Sequence, residues 1–211
     1  CVGDDVFGSY IRRSCVEAGI DIRYLHEAKG AHSSIYLSIL DADGDMLVGM
    51  SDMRIVQQDL RADYLPSQRQ LIQGAKVVTC DPCMGETALL QLLDLCQPPQ
   101  VVCVDPVSCA YARVVAPLIG RFHTAKPNRM ELEILAGMEI RSDADLQRAG
   151  EVVLNKGLKR LFVSLGAEGC FYMDDTGAVL RRKLRPAKMV NASGAGDSFA
   201  AAMLYATLQG Y

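Results

Sequence analysis

The residue types best suited to chemistry lie close together in Asn191-Ala192-Ser193-Gly194-Ala195-Gly196-Asp197-Ser198-Phe199. These small residues lead straight into an apolar stretch, Phe199 to Leu208, that reads as a helix. The first backbone N–H groups of a helix have no partner within it, and they favour an anion at that end. Glycine lets such an anion approach the backbone closely. Asp197 is out of place in a passive phosphate cradle, because its carboxylate repels what the amides attract. It fits a site in which Asp197 deprotonates a hydroxyl while the amides from Gly194 to Asp197 hold a phosphoryl group in transfer. The competing reading is an acidic residue stabilised in the first turn by the helix dipole. The chain has no G-x-x-x-x-G-K-[ST] loop, and this stretch lacks the third glycine of a dinucleotide fingerprint.

The surrounding elements alternate between short apolar strands and helices. Strands are expected at Ala75–Thr79, Val101–Val104, Phe122–Ala125 and Leu161–Leu165. Helices are expected at Asp5–Ala18, Leu65–Gln73, Glu86–Cys96, Ala110–Leu118, Arg129–Ala136 and Ala144–Lys156, with a last one from Gly194. Short all-apolar strands between helices predict an α/β fold with a mostly parallel sheet covered on both faces. Two hairpins are also expected. One joins Ile35–Leu40 to Met46–Met50 through Asp41-Ala42-Asp43-Gly44, with polar residues on one face. The other runs from Cys170 to Leu184 around Asp174-Asp175-Thr176-Gly177.

Composition narrows the classes. The chain has 211 residues, 50% hydrophobic and 22% charged, which excludes a disordered polymer. No apolar run approaches the roughly 18 residues of a membrane-spanning helix. A formal charge of −3, without aromatics among the basic residues, argues against nucleic acid as a partner. The basic cluster Arg181-Arg182-Lys183-Leu184-Arg185, with Lys188, reads as a solvated strand face. The eight cysteines, mostly in apolar runs, read as reduced thiols of a cytoplasmic protein.

The segment Gly194-Ala195-Gly196-Asp197-Ser198-Phe199 resembles the signature of the ribokinase-like (PfkB) carbohydrate kinases. The resemblance implies that Asp197 is the general base for a sugar hydroxyl. It also implies that Gly194, Ala195 and Gly196 form the anion hole for the γ-phosphate, with Ser193 on the nucleotide side. Asn191-Ala192 departs from the family's usual Asp-Thr. Lys126-Pro127-Asn128-Arg129-Met130-Glu131 resembles the family's N-x-x-E motif. There Asn128 would face the nucleotide and Glu131 would help order Mg²⁺ with its waters. Residues at i and i+3 share a helix face, and a hydrated carboxylate suits Mg²⁺. The same residues also fit an ordinary helix start with acidic first-turn residues. Ser164-Leu165-Gly166-Ala167-Glu168-Gly169 resembles the turn that meets ATP, through Ser164, Gly166 and Gly169. Taken alone, that segment is better read as a plain glycine-rich turn between two strands; the order and spacing of all three segments carry the resemblance.

Within the family, Val104-Asp105-Pro106-Val107-Ser108, Gly120-Arg121-Phe122-His123-Thr124 and Ser51-Asp52-Met53 resemble the branch that phosphorylates pseudouridine. Asp52 and Asp105 are then substrate-side candidates, and each equally suits a turn or a strand end. The implied protein is one ribokinase-like domain over residues 1–211, incomplete at both termini, with a hairpin lid at about 34–53. It would transfer the ATP γ-phosphoryl to a primary hydroxyl, the 5′-hydroxyl of pseudouridine first. It would use Mg²⁺ and, as often in the family, a monovalent cation such as K⁺. The lid could pair two copies into a homodimer. Three alternatives stay open: a ribokinase- or adenosine-kinase-like substrate, a non-catalytic sugar- or nucleotide-binding relative, and thiol chemistry at Cys80-Asp81-Pro82-Cys83.

Overall fold

The computed structural model describes residues 1–41, 46–59, 63–184 and 194–211. The elements begin with β1 (Val2–Gly3), α1 (Val6–Glu17), β2 (Glu27–Ala28), β3 (Ile35–Leu40) and β4 (Met46–Asp52). Short helices α2 (Arg54–Asp59), α3 (Tyr64–Ser67) and α4 (Arg69–Gly74) follow, then β5 (Val77–Cys80), α5 (Glu86–Leu95) and β6 (Val101–Val104). The rest comprises α6 (Cys109–Val115), β7 (Thr124–Ala125), α7 (Arg129–Ala136), α8 (Asp143–Asn155), β8 (Arg160–Ser164), β9 (Cys170–Asp174), β10 (Val179–Arg182) and α9 (Ala195–Leu208). The chain divides into two compact units: residues 1–68 with 83–91, and residues 69–82 with 92–211.

The second unit is built on a six-stranded sheet in the order β10-β9-β8-β7-β6-β5. Strands β5 to β8 run parallel, while β9 and β10 return antiparallel, as the second expected hairpin requires. The apolar runs sit where periodicity places them. Val104, Val115, Phe122, Leu132, Leu161 and Val163 are all buried, each contributing about 1.5–3 kcal/mol relative to exposure. Boundaries differ from expectation at β7, which keeps only Thr124–Ala125. The residues before it form a 3₁₀ turn over Ala116–Arg121, and Phe122 follows as its extended cap.

In the first unit β1 and β2 pair in parallel. Helix α1 starts on Asp5, whose carboxylate accepts from the Gly8 N–H at 2.7 Å and the Ser33 N–H at 2.9 Å. Strands β3 and β4 pair antiparallel, Ile35 opposite Asp52 and Leu37 opposite Met50. The turn expected at Asp41–Gly44 falls mostly outside the described residues. The register puts Tyr36, Ser38 and Ser51 on one face of the hairpin and Ile35, Leu37, Ile39, Val48 and Met50 on the other. That second, aliphatic face is itself exposed.

Candidate active site

Ligands of open α/β sheets gather outside the carboxyl ends of the parallel strands. Three of the sequence candidates stand there in the second unit. Asp105 follows β6 directly, Asn128 lies three residues past β7, and Ser164 ends β8. The backbone brings the last two side by side: Asn128 and Ser164 form a parallel bridge, and the Ser164 N–H donates to the Pro127 carbonyl at 3.0 Å.

Asn128 and Glu131 close the start of α7 with a capping box. The Asn128 Oδ1 accepts from the Glu131 N–H at 2.9 Å, and the Glu131 Oε2 accepts from the Asn128 N–H at 2.8 Å. This is the helix-start reading in full. It also fixes Glu131, only 3% exposed, in a demanding place. Burial pushes its carboxyl above the usual carboxylate range, although the Asn128 N–H pulls the other way. The negative charge of Asp105 raises it further, and Lys126 partly offsets that. An under-compensated hard carboxylate held in one orientation suits a hydrated Mg²⁺, which usually takes one or two carboxylates plus waters and phosphates. Among the described residues no three metal-ligating side chains form a cluster.

Helix α9 begins differently. Its cap residue is Gly194 at φ 76°, a left-handed conformation that glycine adopts without penalty and that offers no capping side chain. Ala195, Gly196 and Asp197 form the first turn, all exposed. Asp197 is the third helical residue, and among the described residues it has neither a hydrogen-bond partner nor an ion pair. Behind it the helix is anchored by Met203, which is buried, and by Phe199, whose ring meets Phe162 of β8 edge-on at 6.3 Å. Among the described residues the carboxylate therefore stands without a partner on an anchored helix.

One residue that the sequence did not single out joins this arrangement. Lys126 follows β7 as Asp105 follows β6, and Val104 pairs with Ala125 in the register, so the two are neighbours. The Lys126 Nζ lies 3.0 Å from the Asp105 carboxylate. A Cβ added to Gly196 would lie 3.7 Å from that Nζ, which places the ammonium against the first turn of α9. The available signal was positional: an acid and a base each one residue past neighbouring apolar strands.

The pfkB family carbohydrate kinase pattern matches residues 1–211. The chain belongs to that family. It is 33% identical over 202 residues to the pseudouridine kinase of Escherichia coli, covering 96% of this chain and 64% of that enzyme. A crystal structure from Clostridium perfringens, described as a candidate sugar kinase, is 33% identical with a TM-score of 0.84, over 99% of this chain and 65% of that one. A ribokinase of Arabidopsis thaliana, solved with ribose and ATP, shares the fold with a TM-score of 0.81 at 19% identity, over 99% of this chain and 68% of that one. The chain spans less than two thirds of the first two relatives' length.

In this pfkB-family chain the remaining candidates divide. Gly166, at φ 57°, has open space around it. Gly169 has a structural reason to lack a Cβ, which would meet the Arg182 carbonyl at 1.9 Å where β10 crosses. Asp52 lies in the first unit, engaged by the Arg54 guanidinium, which holds its carboxyl at about 2. Ser193, Asn191 and Ala192 lie outside the described residues, as do Arg185 and Lys188. Arg181 of the basic cluster is not simply solvated, since it pairs with Glu168 and Asp143. Thiol chemistry at Cys80 is disfavoured. Burial and the adjacent Asp81 push that thiol up to about 12, far from the thiolate a redox pair needs. Cys83 sits in a 3₁₀ turn rather than in the first turn of α5.

Proposed function

We propose that this chain carries the phosphoryl-transfer centre of a kinase that moves the γ-phosphoryl of ATP to a primary hydroxyl of a sugar or nucleoside. The 5′-hydroxyl of pseudouridine is the first candidate, supported by the likeness to the E. coli enzyme. The observation that carries the reading is the start of α9: no capping side chain and, among the described residues, no partner for Asp197.

Asp197 accepts the proton of the attacking hydroxyl, a contribution typically worth about 10²–10⁴-fold. The amides of Ala195 to Asp197 hold the phosphoryl oxygens as charge builds in transfer, where losing one comparable donor costs about 10²–10³-fold. Asn128 keeps the strand-end loop and Glu131 in place through the capping box. Bound Mg²⁺, with Glu131 reaching its waters, would neutralise phosphate charge.

ATP consumption tests the reading, with Mg²⁺ and pseudouridine, uridine, adenosine or ribose as acceptor, beside the Asp197→Asn variant. Turnover on pseudouridine that disappears in the variant supports both reaction and base. Turnover on ribose or adenosine instead keeps the kinase and replaces the substrate. ATP binding without turnover on any acceptor favours a non-catalytic relative. Repeating the assay in K⁺ and in Na⁺ salts tests the monovalent-cation dependence that family resemblance implies.

We also infer a homodimer through the β3–β4 hairpin and a cytoplasmic setting. Exposed Leu37, Ile39 and Val48, which share one face, support the first, since a two-stranded sheet with an uncovered apolar face gains by being covered. The eight cysteines, none in a disulfide, support the second. Sedimentation is expected to show a dimer that Leu37→Lys with Val48→Lys converts to monomer; a wild-type monomer at all concentrations overturns the pairing.

A further inference from the structure

A cavity of about 220 Å³ opens at the end of the six-stranded sheet where the parallel strands β6, β7 and β8 begin. Asp105, Asn128 and Ser164 stand at the opposite end. Val102 lines the cavity from β6, His123 from the residue before β7 and Lys159 from the residue before β8. Arg121 joins them from the end of the 3₁₀ turn. The charged lining has one sign. Among the described residues no aspartate or glutamate lines the cavity. Two acids hold the cations from outside it. Arg121 pairs with Asp94 at 2.7 Å, and Lys159 pairs with Asp175 at 2.9 Å. A guanidinium carries five N–H donors and an ammonium three, so each has donors beyond its pair.

His123 is held in place between these cations. Its N–H donates to the Val102 carbonyl at 2.9 Å, and its own carbonyl accepts from the Lys159 and Arg160 N–H groups at 3.0 and 2.9 Å. The Nδ1 lies 2.8 Å from the Thr124 Oγ1, and Thr124 also bonds the Cys103 thiol. Nε2 is then the ring nitrogen left for another partner. Burial holds this half-buried imidazole below its ordinary range; Arg160 and Lys159 act the same way, and Asp175 opposes them. An anion beside the ring would reverse that balance, because an opposite charge favours the protonated form. Size narrows the occupant. The cavity is smaller than the roughly 300–1,000 Å³ clefts that enclose drug-sized ligands, so it suits a small ion rather than a nucleotide.

We propose that this cavity binds a small multivalent oxyanion of the phosphate class, held by Arg121, Lys159 and the Nε2 of His123. The site is separate from the phosphoryl-transfer centre and does not depend on the kinase reading. Arg121 and Lys159 supply charge-assisted hydrogen bonds to the anion's oxygens. A protonated His123 donates through Nε2 while Nδ1 stays on Thr124, so the anion binds together with one proton. Affinity therefore rises as pH falls through the His123 titration. Around the ring, Arg121, Lys159 and Arg160 oppose that proton, Asp175 favours it, and Thr124 and Cys103 are neutral. No covalent bond forms or breaks.

The test uses the 211-residue chain, whose three histidines are His26, His32 and His123. Their imidazole NMR signals are followed against pH, with His123→Gln assigning the third. Sulfate is the first probe, because it keeps its charge where histidine titrates. It is expected to raise the His123 midpoint and to leave those of His26 and His32 unmoved. Calorimetric affinity for sulfate is expected to fall about tenfold in Arg121→Met and again in Lys159→Met, each the worth of one charge-assisted hydrogen bond. Wild-type affinity should rise toward low pH, and that rise should vanish in His123→Gln. Inorganic phosphate should repeat the pattern, and malonate should bind more weakly; malonate binding tighter than phosphate overturns the assignment to the phosphate class. A His123 midpoint that sulfate leaves unmoved overturns the site, and this readout needs no variant to fold. Equal sulfate affinity in wild type and a folded Arg121→Met, Lys159→Met double variant overturns it as well, since the anion then sits elsewhere.

Discussion

Helices α7 and α9 both begin in the unit that holds the six-stranded sheet, and they begin in opposite ways. The start of α7 is closed. Asn128 and Glu131 satisfy each other's backbone N–H groups, and Gly137 at φ 76° ends the helix in the matching left-handed cap. The start of α9 is open, with a glycine cap and an exposed Asp197 that has no partner among the described residues. A fold that needed only stability would close both, because an N-cap side chain is worth about 0.5–2 kcal/mol. The open start gives up that stabilisation, and Lys126 beside it adds a buried charge. Those two features cost stability and suit an anionic ligand, whereas everything at α7 serves stability first. The contrast separates a scaffold from a site.

The largest effect is expected where the open start meets the reaction. Asp197→Asn should lower phosphoryl transfer by about 10²–10⁴-fold while leaving the unfolding temperature unchanged, because the residue is exposed and has no partner among the described residues. A drop in stability with intact turnover would reverse the contrast and make Asp197 a helix-dipole residue. At the closed start the expectation is opposite. Asn128→Ala should cost about 1 kcal/mol of stability, or about 2–4 °C in unfolding temperature for a chain of this size. If turnover falls far more than the lost stability accounts for, then Asn128 has a ligand role of its own and the two starts are less different than their geometry suggests.

Much of this was legible from residue order because it depends on local patterns. Val101-Val102-Cys103-Val104 could only be a buried strand, and it is β6. The small-residue run before Phe199 announced an open helix start, and Gly194 caps α9 as that run implies. What escaped depends on distance in the chain. In the sequence Lys126 is only the first residue of the Lys126–Glu131 motif, and it takes the β6–β7 register to set it against Asp105. Gly169 shows the same limit in reverse. The sequence reveals a missing Cβ but not whether a ligand or the Arg182 carbonyl needs the room. The hairpin was legible with its polar face of Ser38 and Ser51, but alternation does not tell whether the other face is covered, and Leu37, Ile39 and Val48 are exposed.

The smallest expected effect concerns how a start is closed rather than whether it is. Asp5 closes α1 with a charge where Asn128 closes α7 with a neutral amide. Hydrogen bonds from the Ser33 hydroxyl, the Gly8 N–H and the Ser33 N–H hold the Asp5 carboxyl down at about 2, with the nearby His32 adding a little. The unfolded chain binds that proton more readily than the native one, so Asp5 stabilises the fold above the ordinary carboxylate range. That contribution is lost as pH falls through about 2. Asp5→Asn keeps an oxygen for the Gly8 N–H but cannot titrate. Its unfolding temperature should therefore fall less steeply than wild type's on acidification, with the two profiles converging at the acid limit. Asn128→Ala should shift the whole acid limb down without changing its slope. Equal slopes in wild type and Asp5→Asn would mean that Asp5 binds its partners no better as an anion, and charge would then drop out of the difference between the closed starts.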